Sequence, residues 1–193
     1  MCNEYEFKTN WEEYEEMMAS IDLGHVGPPQ ALPQIPSIKI GDTAPVMRAA
    51  GNGVELASMK FGFPPPRPKV APVFNFKSEG RSFANSNRCL IPATGFFEFT
   101  GTKYPKTKHR FWRPGQPWFA IAGLWRETAA GDAFTMLTTQ PGTDVAPIHD
   151  RQIVVLDPSQ WGAWLALSRP EAELLRPSPA GSLATDIVRV GAA

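Results

Sequence analysis

Residues 63–72, FPPPRPKVAP, set prolines at Pro64, Pro65, Pro66, Pro68 and Pro72. Each ring fixes its own φ and removes a backbone donor, so the run joins neither a helix nor a sheet interior. It reads as a rigid, extended loop carrying Arg67 and Lys69. Residues 24–36 are also proline-rich and aperiodic, and are expected to wrap over the surface. With 20 prolines and 16 glycines in 193 residues, regular elements must be short and loops long, which excludes a helical bundle. The length fits a single domain over residues 1–193, and 42% apolar residues with six tryptophans are enough for a sizeable core.

Between the breaks, periodicity is legible. Cys2, Glu4 and Glu6 alternate with Asn3, Tyr5 and Phe7, predicting a short strand with Cys2 at its start. Thr9 with Glu12 predicts a capping box, followed by a helix with Trp11, Tyr14, Met18 and Ile21 on one face and Gly24 at its end. Strands are predicted at 37–40, 44–48 and 54–63, and at 73–76. The run RCLIPATGFFEF at 88–99 reads as two strands joined by a turn at Ala93, Thr94 and Gly95. Further strands are predicted at 118–125, 134–138, 153–156 and 187–190. Asp157 and Pro158 predict a helix start, with Trp161, Trp164 and Leu165 as its apolar face. Ser168 with Glu171 predicts a second capping box, ahead of Leu174 and Leu175. Many strands and few helices give an α+β fold: mainly antiparallel β sheets forming a barrel-like core, a few short peripheral helices and long proline-rich loops.

The net charge of zero hides a strong segregation. Residues 1–47 carry −6, residues 48–113 carry +9 and residues 114–193 carry −3. A basic middle flanked by acid reads either as one positive face suited to phosphate or as a solvated surface. Two cysteines make no disulfide framework, so a reducing, cytoplasmic setting is expected. The acidic, polar N-terminus is no signal peptide, and no apolar run reaches the ~18 residues of a membrane span. There is no CxxC, no HExxH and no glycine-rich phosphate loop. Neither a metal nor a cofactor is expected.

Cys2 directly follows the initiator Met1. Cells commonly trim a starter methionine ahead of a small residue, and trimming would give Cys2 both a free α-amine and a thiol. That amine has a pKa near ~7.7–8.0, so a good fraction is neutral and nucleophilic. A 1,2-aminothiol condenses with an aldehyde as an imine and then closes a thiazolidine. The plain alternative is a small residue at a frayed end. Glu98 lies among aromatic residues in FFEF, where partial desolvation would raise its pKa and suit acid–base work; an ion pair with a nearby cation is the alternative. His149, in PIHDR ahead of an apolar strand, is either a proton-transfer residue or a surface histidine paired with Asp150. Asn75, between Phe74 and Phe76, either hydrogen-bonds at a site or satisfies backbone. Cys89 reads as core, and His25 and His109 as surface residues.

In order and spacing, several segments resemble the SOS response-associated peptidase family, also called abasic-site processing proteins. They are MCN at the start, MKFGFPPP at 59–66, NFKSE at 75–79, RCLIPATGFFEF at 88–99, MLTTQP at 136–141 and IHDRQIVVL at 148–156, then Trp161 and Trp164. The resemblance implies a mainly β fold with a DNA-binding cleft, and self-crosslinking to abasic sites in single-stranded DNA through a mature N-terminal cysteine. It places the catalytic positions on Cys2, Asn75, Glu98 and His149. An AP-lyase side activity and autoproteolytic removal of Met1 belong to the same expectation. Lys77, Arg81, Arg67, Lys69 and Arg151 are the candidates for DNA contact, with Phe76 or Phe61 as stacking surfaces. The chain departs from the family pattern at Glu4, Phe61, Phe99, Gln152 and Ile153. Lys77 stands where an arginine is common, which keeps the charge but loses the bidentate fork. The expected partner is abasic single-stranded DNA, met by a monomer. Two other classes stay open: a peptidase or amidohydrolase with the same Cys2 as N-terminal nucleophile, and a single-stranded DNA-binding module without turnover, in which the basic face alone matters.

Overall fold

The computed structural model describes residues 2–21, 23–65 and 67–192. Met1, and with it the expected removal of that residue, lies outside them. The chain runs β1 (Glu4–Phe7), α1 (Trp11–Ser20), β2 (Ile35–Lys39), β3 (Thr43–Ala50), β4 (Gly53–Phe61), β5 (Asn75–Lys77), β6 (Asn87–Ala93), β7 (Gly95–Thr100), β8 (Thr107–Trp112), β9 (Phe119–Arg126) and β10 (Ala133–Thr139). It continues through β11 (Gln152–Ile153), β12 (Val155–Leu156), a 3-10 turn at Pro158–Gln160, α2 (Trp161–Ala166), α3 (Glu171–Leu174) and β13 (Ala184–Arg189). The α+β expectation, dominated by sheet, holds. No helix among the described residues is long and apolar enough to cross a membrane.

Two sheets form. In one, β4, β3, β6, β9 and β10 follow one another, and β10 pairs with both β9 and β4, so the ring closes on itself. In the other, the order is β13, β8, β7, β1, β2, with antiparallel neighbours throughout. Alternate residues of the barrel strands serve two cores. Val46, Cys89, Ile91, Ile121 and Phe134 join Tyr5, Ile38, Phe96 and Phe111 of the second sheet in the first core. Their sequence neighbours Met47, Leu90, Ala120 and Ala122 join Tyr14 and Met18 of α1, and Trp161 and Trp164 of α2, in the second core. Burial on both faces is why these strands read as continuous apolar runs.

Several local expectations shift. The helix cap is Asn10, not Thr9: the Asn10 side chain accepts from the Glu13 amide at 2.8 Å, and Glu13 accepts from the Asn10 amide at 3.2 Å. Thr9 donates its hydroxyl to the same Glu13 carboxylate at 2.6 Å. The Ser168–Glu171 box does not form, because the Glu171 carboxylate accepts the Phe83 amide instead. The two halves of RCLIPATGFFEF are strands as expected, but they belong to different sheets, and Thr94 is where the chain changes sheet.

Strand β8, rich in cations, was not expected as a strand at all. It exists because β1 and β8 flank β7 and bring acid and base together on one face. Glu4 accepts from Lys108 at 2.7 Å and from Ser37 at 2.6 Å; Glu6 accepts from Arg110 at 2.8 Å and from Lys8 at 2.9 Å. Gly95 makes room for the second cluster, since a Cβ there would stand 2.9 Å from Glu6 Oε1 and 3.1 Å from Arg110 Nε. Much of the +9 segment is therefore internally neutralised. Arg48 pairs with Glu55 and Asp132, and Arg113 with Asp157, while Arg88 donates to the carbonyls of Phe83, Ser86, Trp164 and Leu165.

Candidate active site

The start of the chain leads straight into β1 and carries Cys2 into the first core, where it is 1% exposed. Its Sγ donates to the Glu4 carbonyl at 3.3 Å. Burial, with the charge of Glu98 adding to it, pushes the thiol far above its ordinary pKa, so it is held as the neutral thiol.

Three further elements converge on this residue. Strand β5 pairs in parallel with β10, Asn75 lying opposite Met136. That places the Asn75 amide to donate from Nδ2 to the Cys2 carbonyl at 2.8 Å. Asn75 Oδ1 is buried without a hydrogen-bond partner among the described residues. Strand β7 supplies Glu98, 2% exposed, whose carboxyl is raised by burial to about 7, the charge of Asp150 pushing the same way. The turn after β10 supplies His149, with Nε2 3.6 Å from Glu98 Oε2. Its Nδ1 accepts the Arg151 amide at 3.0 Å and lies 3.0 Å from Asp150 Oδ1. The neutral ring with Nδ1 bare serves the first contact, and a proton on Nδ1 serves the second. Burial lowers the His149 pKa, which favours the neutral form.

His149 touches both Glu98 and Asp150. Cys89 is fully buried, as read from the sequence. His25 packs among Trp11 and Tyr14 instead of lying free on the surface, and His109 Nε2 bonds the Thr100 hydroxyl at 2.8 Å.

The DNA-contact candidates divide. Arg67, Lys69, Lys77 and Arg81 are exposed, and Arg81 lies over the Phe76 ring at 5.4 Å. Phe61 is fully buried and offers no open face. Arg151 is engaged internally: it makes a two-pronged pair with Glu79 at 2.9 and 2.8 Å and donates to the Thr138 carbonyl at 2.9 Å. Its hydrogen bonds hold Glu79 down to about 2 and fix the His149 turn to β10. Among the described residues, no group of three His, Cys, Asp or Glu side chains is arranged to hold a metal ion. No motif marks Arg126, whose guanidinium lies 3.7 Å from the Phe63 ring centre. It sits at the end of an apolar strand, where a lone arginine carries no signal.

Chemically, the site joins a carboxyl that both gives and takes a proton near neutral pH, a neutral imidazole, and a cysteine whose main chain is held by an amide. A closed five-strand ring backed by a second sheet with such a site defines a class. Residues 1–191 match the family model described as SOS response associated peptidase (SRAP), and the chain belongs to that family. It is similar to the abasic site processing protein YoqW of Bacillus subtilis (strain 168), with 27% identity over 199 residues, 91% of this chain and 85% of that protein. Abasic site processing protein YobE of the same organism is 25% identical, over 91% of this chain and 87% of its own. Among solved structures, a Bordetella bronchiseptica protein superposes with a TM-score of 0.72 at 24% identity, covering 98% of this chain and all of that one. A Bacteroides thetaiotaomicron protein gives 0.72 at 16% identity, covering 97% and 92%. These two share the fold.

Proposed function

We propose that this chain processes abasic sites in single-stranded DNA by linking itself to them through Cys2 once Met1 has been removed. The observation that carries this reading is Glu98: a buried carboxyl near pKa 7, beside His149 and acting on the Cys2 thiol. The names of the relatives YoqW and YobE point to the same substrate.

The ring-opened deoxyribose presents an aldehyde at C1′. The neutral α-amine of Cys2 adds to it, and the resulting carbinolamine loses water with protonated Glu98 as acid, leaving a protonated imine and a Glu98 carboxylate. Glu98, now a carboxylate, takes the thiol proton as sulfur adds to C1′. The sulfur electron pair neutralises the protonated imine, the thiazolidine closes with a neutral N–H, and Glu98 ends protonated as it began. One water is released in total. A neutral, desolvated thiol needs that base, and Glu98 is ionised only after it has served as acid. Asn75 holds the Cys2 carbonyl, so amine and sulfur start aligned; such alignment is worth up to ~7–11 kcal/mol of barrier. His149 assists ring opening of the sugar. If closure is slow, loss of a C2′ proton from the imine expels the 3′ phosphate, which is the lyase branch.

The test is incubation of Met1-free protein with an abasic single-stranded oligonucleotide, followed by a denaturing gel. A band resistant to denaturation supports the reading, and Cys2→Ala should abolish it. No such band, with release of a peptide or amide product from other substrates, would assign the chain to the hydrolase class.

A further inference from the structure

Glu98 and His149 come from different sheets. Glu98 lies on β7 of the five-stranded sheet, and His149 lies in the turn between β10 and β11 of the other. Their 3.6 Å separation is therefore set by whatever holds that turn against the second sheet. Inside the turn the bonds are local. The Ala146 amide donates to the Gly142 carbonyl at 2.9 Å, and the His149 amide to the Val145 carbonyl at 3.0 Å. Its outer attachments go to residues 177–183, the segment that leads into β13. The Asp144 carboxylate accepts the Gly181 amide at 2.8 Å and the Leu183 amide at 3.0 Å. Gln152 is 1% exposed, and its carboxamide bridges the turn and the segment. Its Oε1 accepts the Gly142 amide at 2.9 Å, and its Nε2 donates to the Ser178 hydroxyl at 2.9 Å. The two pieces of chain are in close contact at Gly142, where a Cβ would stand 2.7 Å from the Ser178 carbonyl oxygen. Val145 of the turn and Leu183 of the segment are buried in the same core. Strand β13 then pairs with β8, and β8 with β7, where His109 stands opposite Glu98.

We propose that residues 177–183 are a strap that fixes His149 at its distance from Glu98, and that Gln152 and Asp144 are the positioning residues through which the strap acts. The inference rests on the abasic-site reading, in which His149 assists opening of the sugar ring. The turn returns to its sheet through β11, which is two residues long and offers little ladder to hold it. The bonds of Asp144 and Gln152 supply what that ladder lacks. The neighbouring Arg151 ties the same turn to Glu79 and to the Thr138 carbonyl of β10, so the imidazole is braced from both sheets. A reacting group must be held to a fraction of an ångström by the shell behind it, and a displacement of about 1 Å can cost roughly 10²-fold in rate. Gln152 and Asp144 need no contact with the sugar, since they act by where they hold the ring.

The experiment compares single-turnover crosslinking of two single-stranded oligonucleotides by Met1-free protein. One carries the natural abasic sugar, which is mostly ring-closed. The other carries an acyclic aldehyde, which has no ring to open. Gln152→Met keeps the volume and loses both hydrogen bonds. In it the ratio of the first rate to the second should fall by about tenfold to 10²-fold. A protein that is merely less well folded loses both rates equally and keeps the ratio. Ser178→Ala leaves the Gly142 bond in place and should lower the ratio less; it also serves if Gln152→Met does not fold. In a His149→Ala background, Gln152→Met should add no further fall, because nothing is left for it to position. The His149 ring, followed by NMR titration, should move from its lowered pKa up toward the ordinary 6.5 in Gln152→Met. A ratio and a titration equal to wild type in both variants, or a full further fall in the His149→Ala background, would overturn the strap. Absence of any crosslink in the wild type, with the His149 titration still moved by Gln152→Met, would instead overturn the abasic-site chemistry and leave the strap standing.

Discussion

Glu4 and Glu98 lie on opposite faces of one sheet, 6% and 2% exposed, and meet opposite fates. Burial pushes Glu4 upward, but the Lys108 ammonium and the Ser37 hydroxyl outweigh it and hold the carboxylate below its ordinary range. At Glu98 burial, with the charge of Asp150 pushing the same way, outweighs the pull of the N-terminal ammonium, and the carboxyl rises to about 7. A buried acid is therefore not by itself a mark of function. What separates the two is the balance: at Glu4 the cation and the hydroxyl outweigh burial, whereas at Glu98 burial outweighs the opposing cation and leaves the proton mobile near neutral pH.

The largest expected effect breaks the mobile side of this comparison. Glu98→Gln removes the acid and the base together, and single-turnover crosslinking should slow by about 10²–10⁴-fold. The same variant should be more stable than wild type at alkaline pH. The folded-state pKa of about 7 lies above the ordinary value of 4.5, so the contribution of Glu98 is complete below pH 4.5 and is lost as pH rises through about 7. The loss amounts to about 3 kcal/mol, read as a fall in urea midpoint that Glu98→Gln should not show. For the reaction itself, the alkaline limb of the pH–rate profile near 7 should vanish in Glu98→Gln.

Arg110→Met breaks the fixed side. It leaves Glu6 buried with Lys8 as its remaining cation and should cost about 3 kcal/mol in denaturant titration. Adding Glu6→Gln should recover most of that loss. Crosslinking per folded molecule should stay at the wild-type rate throughout, since this face holds charge and moves no proton. Asn75→Ala should slow crosslinking about tenfold, the equivalent of one hydrogen bond to the Cys2 carbonyl, with little change in melting temperature. The smallest effect belongs to the surface pair of Arg113 with Asp157, whose carboxylate is half exposed. Arg113→Ala should shift stability by under ~1 kcal/mol.

The sequence showed some of this and concealed the rest for physical reasons. Helix α1 and most strands follow from local periodicity, because each buries a continuous face. Its cap missed by one residue because Thr9 and Asn10 both bond Glu13, and side-chain oxygens one residue apart look alike in a sequence. Strand β8 was hidden because Lys108 and Arg110 read as a solvated charge run, and the acids that bury them lie more than a hundred residues earlier. Ring closure through β4, β9 and β10 depends on register between distant strands, which no local pattern encodes. At the site, Glu98 and His149 stood out by their neighbours and Cys2 by its position. That Asn75 reaches the main chain of Cys2 depends on a three-residue parallel strand, too short to leave a periodicity.

The most direct test is tandem mass spectrometry of Met1-free protein after reaction with an abasic single-stranded oligonucleotide and nuclease trimming. The account predicts an adduct equal to protein plus sugar fragment minus one water. It should be carried on Cys2 and resist borohydride, as a closed ring does and an imine does not. An adduct on a lysine, or unmodified Cys2 in protein that has bound the lesion, would contradict it.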